Sequence, residues 1–183
     1  MSHCCGCDRA EKMLATALDM ERKGLEFYEK TLQTCHNEVG RRIFTMLKKD
    51  EEVHAKRIQM HYDALRGTHQ WAADWKTHAV DHPDLLEMMK GLAVSQGTNI
   101  KAEASDLEAL DVGIDFEHRA VVFYMENLNR ATDPVERAFV KRMVEEEEAH
   151  WKALSEMKYF LTDPAAWFRE NEKTTLDGGG AGV

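Results

Sequence analysis

Proline is scarce in this chain, with three in 183 residues, so long helices meet few forced interruptions. No apolar run reaches the length of a membrane span. A cationic excess is missing too: 24 Lys and Arg stand against 33 acids, for a net charge of −9. That balance argues against a non-specific nucleic-acid or anionic-membrane surface. The first eight residues hold neither a basic segment nor an apolar one, so no secretion signal is legible and the cytoplasm is the expected compartment. Thiols stay reduced there, and the four cysteines are not read as a disulfide framework.

What is present is helical periodicity, in a chain long enough for one domain with a sizeable core. A first helix is expected from Asp8 to about Cys35, with the stripe Leu14, Leu18, Glu21, Leu25, Tyr28, Leu32. Asn37 reads as the N-cap of a second helix that stops near Gly67. Its stripe is Phe44, Leu47, Glu51, His54, Ile58, His61. Residues 68–104 form a long crossover with a short helix starting near Pro83, punctuated by Gly91 and Gly97. A third helix starts at Ser105 or Asp106 and carries Leu110, Ile114, Glu117, Val121, Tyr124 and Leu128. Asp133-Pro134-Val135-Glu136 signals a fourth start. That helix carries Val140, Met143, Glu147, His150, Leu154 and Met157, and ends near Thr162. Asp163-Pro164 opens a last short helix, followed by a flexible glycine-rich end.

The reading is all-α: a four-helix bundle over residues 11–162, made of two antiparallel helical hairpins joined by one long crossover. A Cys-rich tail (1–10) precedes it and a short helix with a flexible end (163–183) follows.

Six acidic and imidazole interruptions of these stripes are one set of three used twice. Glu51-x-x-His54 recurs 96 residues later as Glu147-x-x-His150. The same offset joins Glu21 to Glu117, Phe27-Tyr28 to Phe123-Tyr124, Asp19 to Asp115 and Arg41 to Arg137. In the first hairpin Glu21 and Glu51 each lie roughly 21–23 Å from the turn, at about 1.5 Å per residue, so they are level in an antiparallel pair. Glu117 and Glu147 are level in the second. Within each Glu-x-x-His the two side chains share a helix face. Four carboxylates and two imidazoles thus converge at mid-bundle. Buried together, they must protonate, pair with cations or bind metal. The stripes offer no Lys or Arg at facing positions, and two divalent ions would balance four carboxylates.

This arrangement resembles the rubrerythrin and ferritin-like di-iron carboxylate family. The resemblance covers about residues 11–162. It implies a ferritin-like fold with two iron ions, manganese being the other candidate. Glu21, Glu51, His54, Glu117, Glu147 and His150 would be the ligands, with Glu51 and Glu147 as bridges and Glu21 and Glu117 as terminal carboxylates. Tyr28 and Tyr124 would either hydrogen-bond a carboxylate of the opposite hairpin or be core tyrosines with satisfied hydroxyls. The activity implied is reduction of peroxide or dioxygen with electrons from a separate, rubredoxin-like donor, in a homo-oligomer, a dimer first. Alternatives are ferroxidase, iron storage or iron delivery, and a metal-bound structural or sensor protein.

Two departures bear on the chemistry. Rubrerythrins typically carry another Glu three residues after the third-helix ligand, and Ala120 stands there. A rubredoxin module needs two Cys-x-x-Cys pairs, and only Cys4-x-x-Cys7 is present. Cys4, Cys5 and Cys7 read as a loose tail, with a metal or redox pair as the alternative. Cys35 reads as structural. Glu145, Glu146 and Glu148 read as a solvated helix face, His118 as turned away from the centre, and His61 as a satisfied core histidine. Trp71, Trp75 and Trp167 are candidates for covering the crossover or a subunit interface.

Overall fold

Capping chemistry sets most of the helix boundaries. The computed structural model describes residues 5–80, 85–97 and 103–176. They form α1 (Cys5–Thr34), α2 (Glu38–Thr68), α3 (Leu85–Gln96), α4 (Ala104–Arg130), α5 (Pro134–Thr162) and α6 (Pro164–Leu176), with a single 3-10 turn at Trp75–Thr77. No strand occurs among the described residues. The Asn37 side chain accepts from Gly40 N at 3.0 Å, as its N-cap role requires. Asp133 accepts from Val135 N at 2.7 Å and Glu136 N at 3.1 Å, with Pro134 in the first turn. Asp163 caps α6 through Ala166 N at 2.9 Å.

Several boundaries differ from expectation. α1 begins at Cys5 rather than Asp8, so the backbone of Cys5 and Cys7 belongs to the helix, while Cys4 lies outside the described residues. α2 passes through Gly67, which faces open space, and ends one residue later. His69 is the residue that turns left-handed (φ 57°), its N–H closing on Leu65 O at 3.0 Å. Gly91 lies inside α3, and Gly97 ends it with φ +70°. Pro83 and the glycine-rich end lie outside the described residues.

The matched arginines explain themselves. Arg41 donates to Leu32 O at 2.8 Å and Cys35 O at 3.1 Å. Arg137 donates to Leu128 O and Ala131 O, both at 3.1 Å. Each guanidinium satisfies the last carbonyls of the preceding helix and so fixes the angle of its hairpin.

The strongest packing is within the hairpins, α1 on α2 and α4 on α5. Between hairpins α1 faces α4 and α2 faces α5, while the crossover helix α3 lies over α5 and α2. α1 and α4 run antiparallel, since Tyr28 reaches Glu117 and Tyr124 reaches Glu21. One apolar cluster gathers Ile43, Phe44, Leu47, Leu110, Met157 and Phe160. A second gathers Leu14, Ile58, Leu65, Phe139, Val140 and Met143. Each fully buried Leu or Phe in them is worth roughly 1.5–3 kcal/mol. That apolar burial, on both sides along the bundle, is what supports a costly polar layer between. No helix among the described residues is long and apolar enough to cross a membrane.

The aromatic residues of the crossover settle over α2 and α5. Trp71 and Trp75 ring His61 together with Phe139, whose centroid is 4.4 Å from the imidazole. Trp167 is buried within the chain, its Nε1 donating to Glu156 at 2.9 Å, which removes it as a candidate for a subunit interface.

Candidate metal centre

The level positions read from the sequence meet in space. Glu21 on α1, Glu51 and His54 on α2, Glu117 on α4, and Glu147 and His150 on α5 occupy one layer of the bundle, none more than 2% exposed. One group, Glu51, Glu117, Glu147 and His150, can place one ligand atom from each residue within 4.8 Å of the others. Glu21, His54 and Glu147 form a second group by the same measure. Glu147 is common to both; Glu51 belongs to the first.

Each histidine is held by its far nitrogen. His54 Nε2 meets Glu146 Oε2 at 3.1 Å, and His150 Nε2 meets Asp50 Oδ2 at 3.1 Å. A carboxylate there keeps the ring proton on Nε2 and turns Nδ1 inward. His54 Nδ1 lies 3.1 Å from Glu147 Oε1 and 3.5 Å from Glu21 Oε2. His150 Nδ1 lies 3.5 Å from Glu51 Oε1 and 3.7 Å from Glu117 Oε2. The two rings stack at 5.4 Å.

The tyrosines cross between hairpins. Tyr28 Oη donates to Glu117 Oε1, and Tyr124 Oη donates to Glu21 Oε1 at 2.5 Å. Each fixes one oxygen of the glutamate it meets. Burial, reinforced by these carboxylates, holds both phenols well above their usual pKa, so they remain donors.

The inward atoms have no hydrogen-bond partner. Both oxygens of Glu51, Oε2 of Glu117, Oε1 of Glu147 and Nδ1 of both histidines are buried and unsatisfied. Leaving buried polar atoms unmade is costly, and six of them aimed at one place fit a cation that would complete them. The electrostatics agree. Burial pushes Glu51 well above the usual carboxylate range, with Glu21, Glu147 and Glu117 pushing the same way. Burial likewise lifts Glu117, to about 7. On Glu147 burial is outweighed by the facing His54 and His150 rings, which leave it low. On both histidines burial is outweighed by the carboxylates, which raise them well above normal. The donor set of carboxylate oxygen and imidazole nitrogen suits iron or manganese.

Several groups were misread in the sequence. Glu146 is not part of a solvated face: it is buried, bound to His54, to Arg57 Nη1 at 2.5 Å and to Arg142 Nε at 2.7 Å. The His54 ring and the Arg57 guanidinium outweigh its burial and hold it down at about 2. Glu145 is exposed and Glu148 half-exposed. A buried cation does exist, since Arg57 is 2% exposed; it serves Glu146 and the His78 carbonyl, not the six. Asp50 was missed altogether. The available signal was an acid directly before each Glu-x-x-His, Asp50 and Glu146, at the same 96-residue offset. His118 is exposed and lies against Trp151, outside the centre. His61 is buried with Nδ1 accepting from Ala72 N at 3.2 Å, and its Nε2 is unsatisfied. Cys35 is buried and donates to Asn37 O at 3.6 Å, a structural role.

A family model described as Rubrerythrin matches residues 12–158. No curated protein matches the chain significantly. Nor does any solved structure.

Proposed function

Because the chain belongs to the rubrerythrin family of di-iron proteins, we propose that it is a non-haem di-iron oxidoreductase that reduces peroxide or dioxygen with electrons from a separate donor. The observation that carries this reading is the set of buried, unsatisfied carboxylate and imidazole atoms converging on one layer. Glu21, Glu51, His54, Glu117, Glu147 and His150 would hold the ions. Glu147, common to both groups, and Glu51 would be the bridging carboxylates. Two bound ions would supply four positive charges and open positions at which an oxidant can be reduced. The protein's own part is to present Nδ1 of each imidazole by holding Nε2, to pin Glu21 and Glu117 through the tyrosines, and to exclude water with the two apolar clusters.

The electron donor is external in this reading, a rubredoxin-like protein, because Cys4-x-x-Cys7 is the one Cys-x-x-Cys pair in the chain. A homodimer in the cytoplasm is the proposed setting. A second reading, ferroxidase or iron storage, draws on Ala120, which leaves the centre with a similar carboxylate count from each hairpin.

Protein purified without oxygen should carry two irons per chain by elemental analysis. Mixing with peroxide and with dioxygen should then oxidise them with distinct rates. Glu51→Ala combined with Glu147→Ala should abolish two-metal binding; two irons retained in that variant would overturn the ligand assignment. A large shell loading many irons, seen by size-exclusion and metal analysis, would favour storage over turnover.

A further inference from the structure

None of the six central side chains is more than 2% exposed, so any oxidant must pass through a seam of the bundle. The seams within the hairpins are the most tightly packed, and α3 lies over the α2/α5 face. Among the described residues no such element lies over the α1/α4 face. That face carries a cleft of about 350 Å³. Its wall is apolar, from Met20, Phe27, Phe116 and Phe123, with Lys23 and Arg119 at the rim. The lining straddles the internal repeat, since Met20 matches Phe116, Lys23 matches Arg119 and Phe27 matches Phe123 at the 96-residue offset. The cleft therefore sits over the same axis as the centre.

Phe116 is what separates the cleft from the ligands. A Cβ placed on Gly24 would lie 3.0 Å from Phe116 Cε1 and 3.3 Å from Glu51 Oε2. The ring and the Glu51 carboxylate thus face each other across the space of one missing methyl group. Both oxygens of Glu51 are buried and without a hydrogen-bond partner. Phe116 is half-buried, with one edge of its ring toward Gly24 and Glu51.

The rim does not select an anion. Lys23 is paired with Asp19 at 2.6 Å and Arg119 with Asp115 at 2.9 Å, each one helical turn earlier, so the mouth is close to neutral. An apolar wall with a neutral rim offers little to a charged or strongly hydrated molecule. It fits a small uncharged one.

We propose that the α1/α4 cleft is the port by which a small uncharged oxidant, dioxygen foremost, reaches the metal centre, with Phe116 as its door and Gly24 as the clearance that lets the door sit against Glu51. This rests on the metal-centre reading above, and the test separates the two. The port predicts that the door and the mouth control arrival at the metal without changing how much metal is held.

The experiment is the association rate of nitric oxide with the ferrous-loaded full chain, followed by its visible absorption, alongside iron content. Phe116→Ala should raise that rate about tenfold, and Val112→Trp, at an exposed residue that also lines the cleft, should lower it about tenfold by filling the mouth. Iron content should be unchanged in both. Equal rates in wild type and both variants, with iron content intact, would overturn the port. If the chain holds no iron, the metal reading falls, and the port is judged on the apo-protein by xenon under pressure. Xenon in the cleft of wild type, and beside Gly24 in Phe116→Ala, supports the port; xenon in neither place overturns it.

Discussion

The two hairpins supply the same inner groups and different outer ones. Glu21 and Glu117, Glu51 and Glu147, and His54 and His150 are matched pairs, and Glu21 and Glu117 each take a hydrogen bond from the other hairpin's tyrosine. The acid behind each imidazole is matched in kind too, but what surrounds it is not. His54 leans on Glu146, which two arginines hold, whereas His150 leans on Asp50. Ala153 occupies the position matching Arg57, and Ala120 the position matching Gly24. The duplication thus preserves what faces the metal layer and lets its surroundings diverge. The two candidate metal-binding groups draw on matched residues but sit in unequal fields, with the buried Arg57 guanidinium on the Glu146 that holds His54.

The comparison can be broken most severely at Arg57. Arg57→Ala leaves Glu146 buried with one arginine and should cost about 3–5 kcal/mol in chemical denaturation. The reciprocal position holds an alanine already, so Ala153→Gly should cost only about 1 kcal/mol.

His61 tests the same contrast two turns further along, where Met157 is its counterpart. Burial lowers its imidazole from about 6.5 to about 4, with Asp74 pulling weakly the other way. The unfolded chain takes up this proton as pH falls below about 6.5, and the folded chain does not until about 4. Stability is therefore full above that window and lost on descending through it, by roughly 3 kcal/mol. His61→Met should flatten the fall in denaturation midpoint between those pH values; an unchanged profile would show that the imidazole is not buried neutral.

Smaller effects come from the groups behind the histidines. Asp50→Asn and Glu146→Gln should each weaken metal affinity by about 10–100-fold, measured by chelator competition. Glu146→Gln should also lower stability, because it loosens two arginines, and Asp50→Asn should do so less. Equal stability losses would mean that the arginines contribute little. Smallest of all, Tyr28→Phe and Tyr124→Phe should each cost about 1 kcal/mol, and by nearly the same amount. A clear difference between them would show that the asymmetry reaches Glu21 and Glu117.

The bundle was largely legible because helix periodicity is local. Stripes such as Leu14, Leu18, Glu21 and Phe44, Leu47, Glu51 name their own inward face, and Asn37, Asp133 and Pro134 name their own boundaries. The misreadings share one cause. Glu146, beside Glu145 and Glu148, reads as solvated because an acidic run on a helix usually is, and Arg57 falls outside the inward stripe of its helix. Both are buried only because α2 and α5 face each other with α3 and the crossover laid over them. His69 ends α2 in place of Gly67 because the last turn closes on Leu65 O, a contact that propensity does not encode.

By itself the sequence determined the repeat, its 96-residue offset, the level of each Glu and His along the helices, and so the existence of a carboxylate and imidazole layer. These follow from rise and pitch, which every helix shares. Only the tertiary structure decided who meets whom across the hairpins: Tyr28 with Glu117, His54 with Glu146, His150 with Asp50, and Phe116 against Gly24 and Glu51. Those pairings depend on how far each helix is rotated about its axis and how closely the hairpins approach. Many side chains set that packing jointly, and no single stretch of sequence carries it.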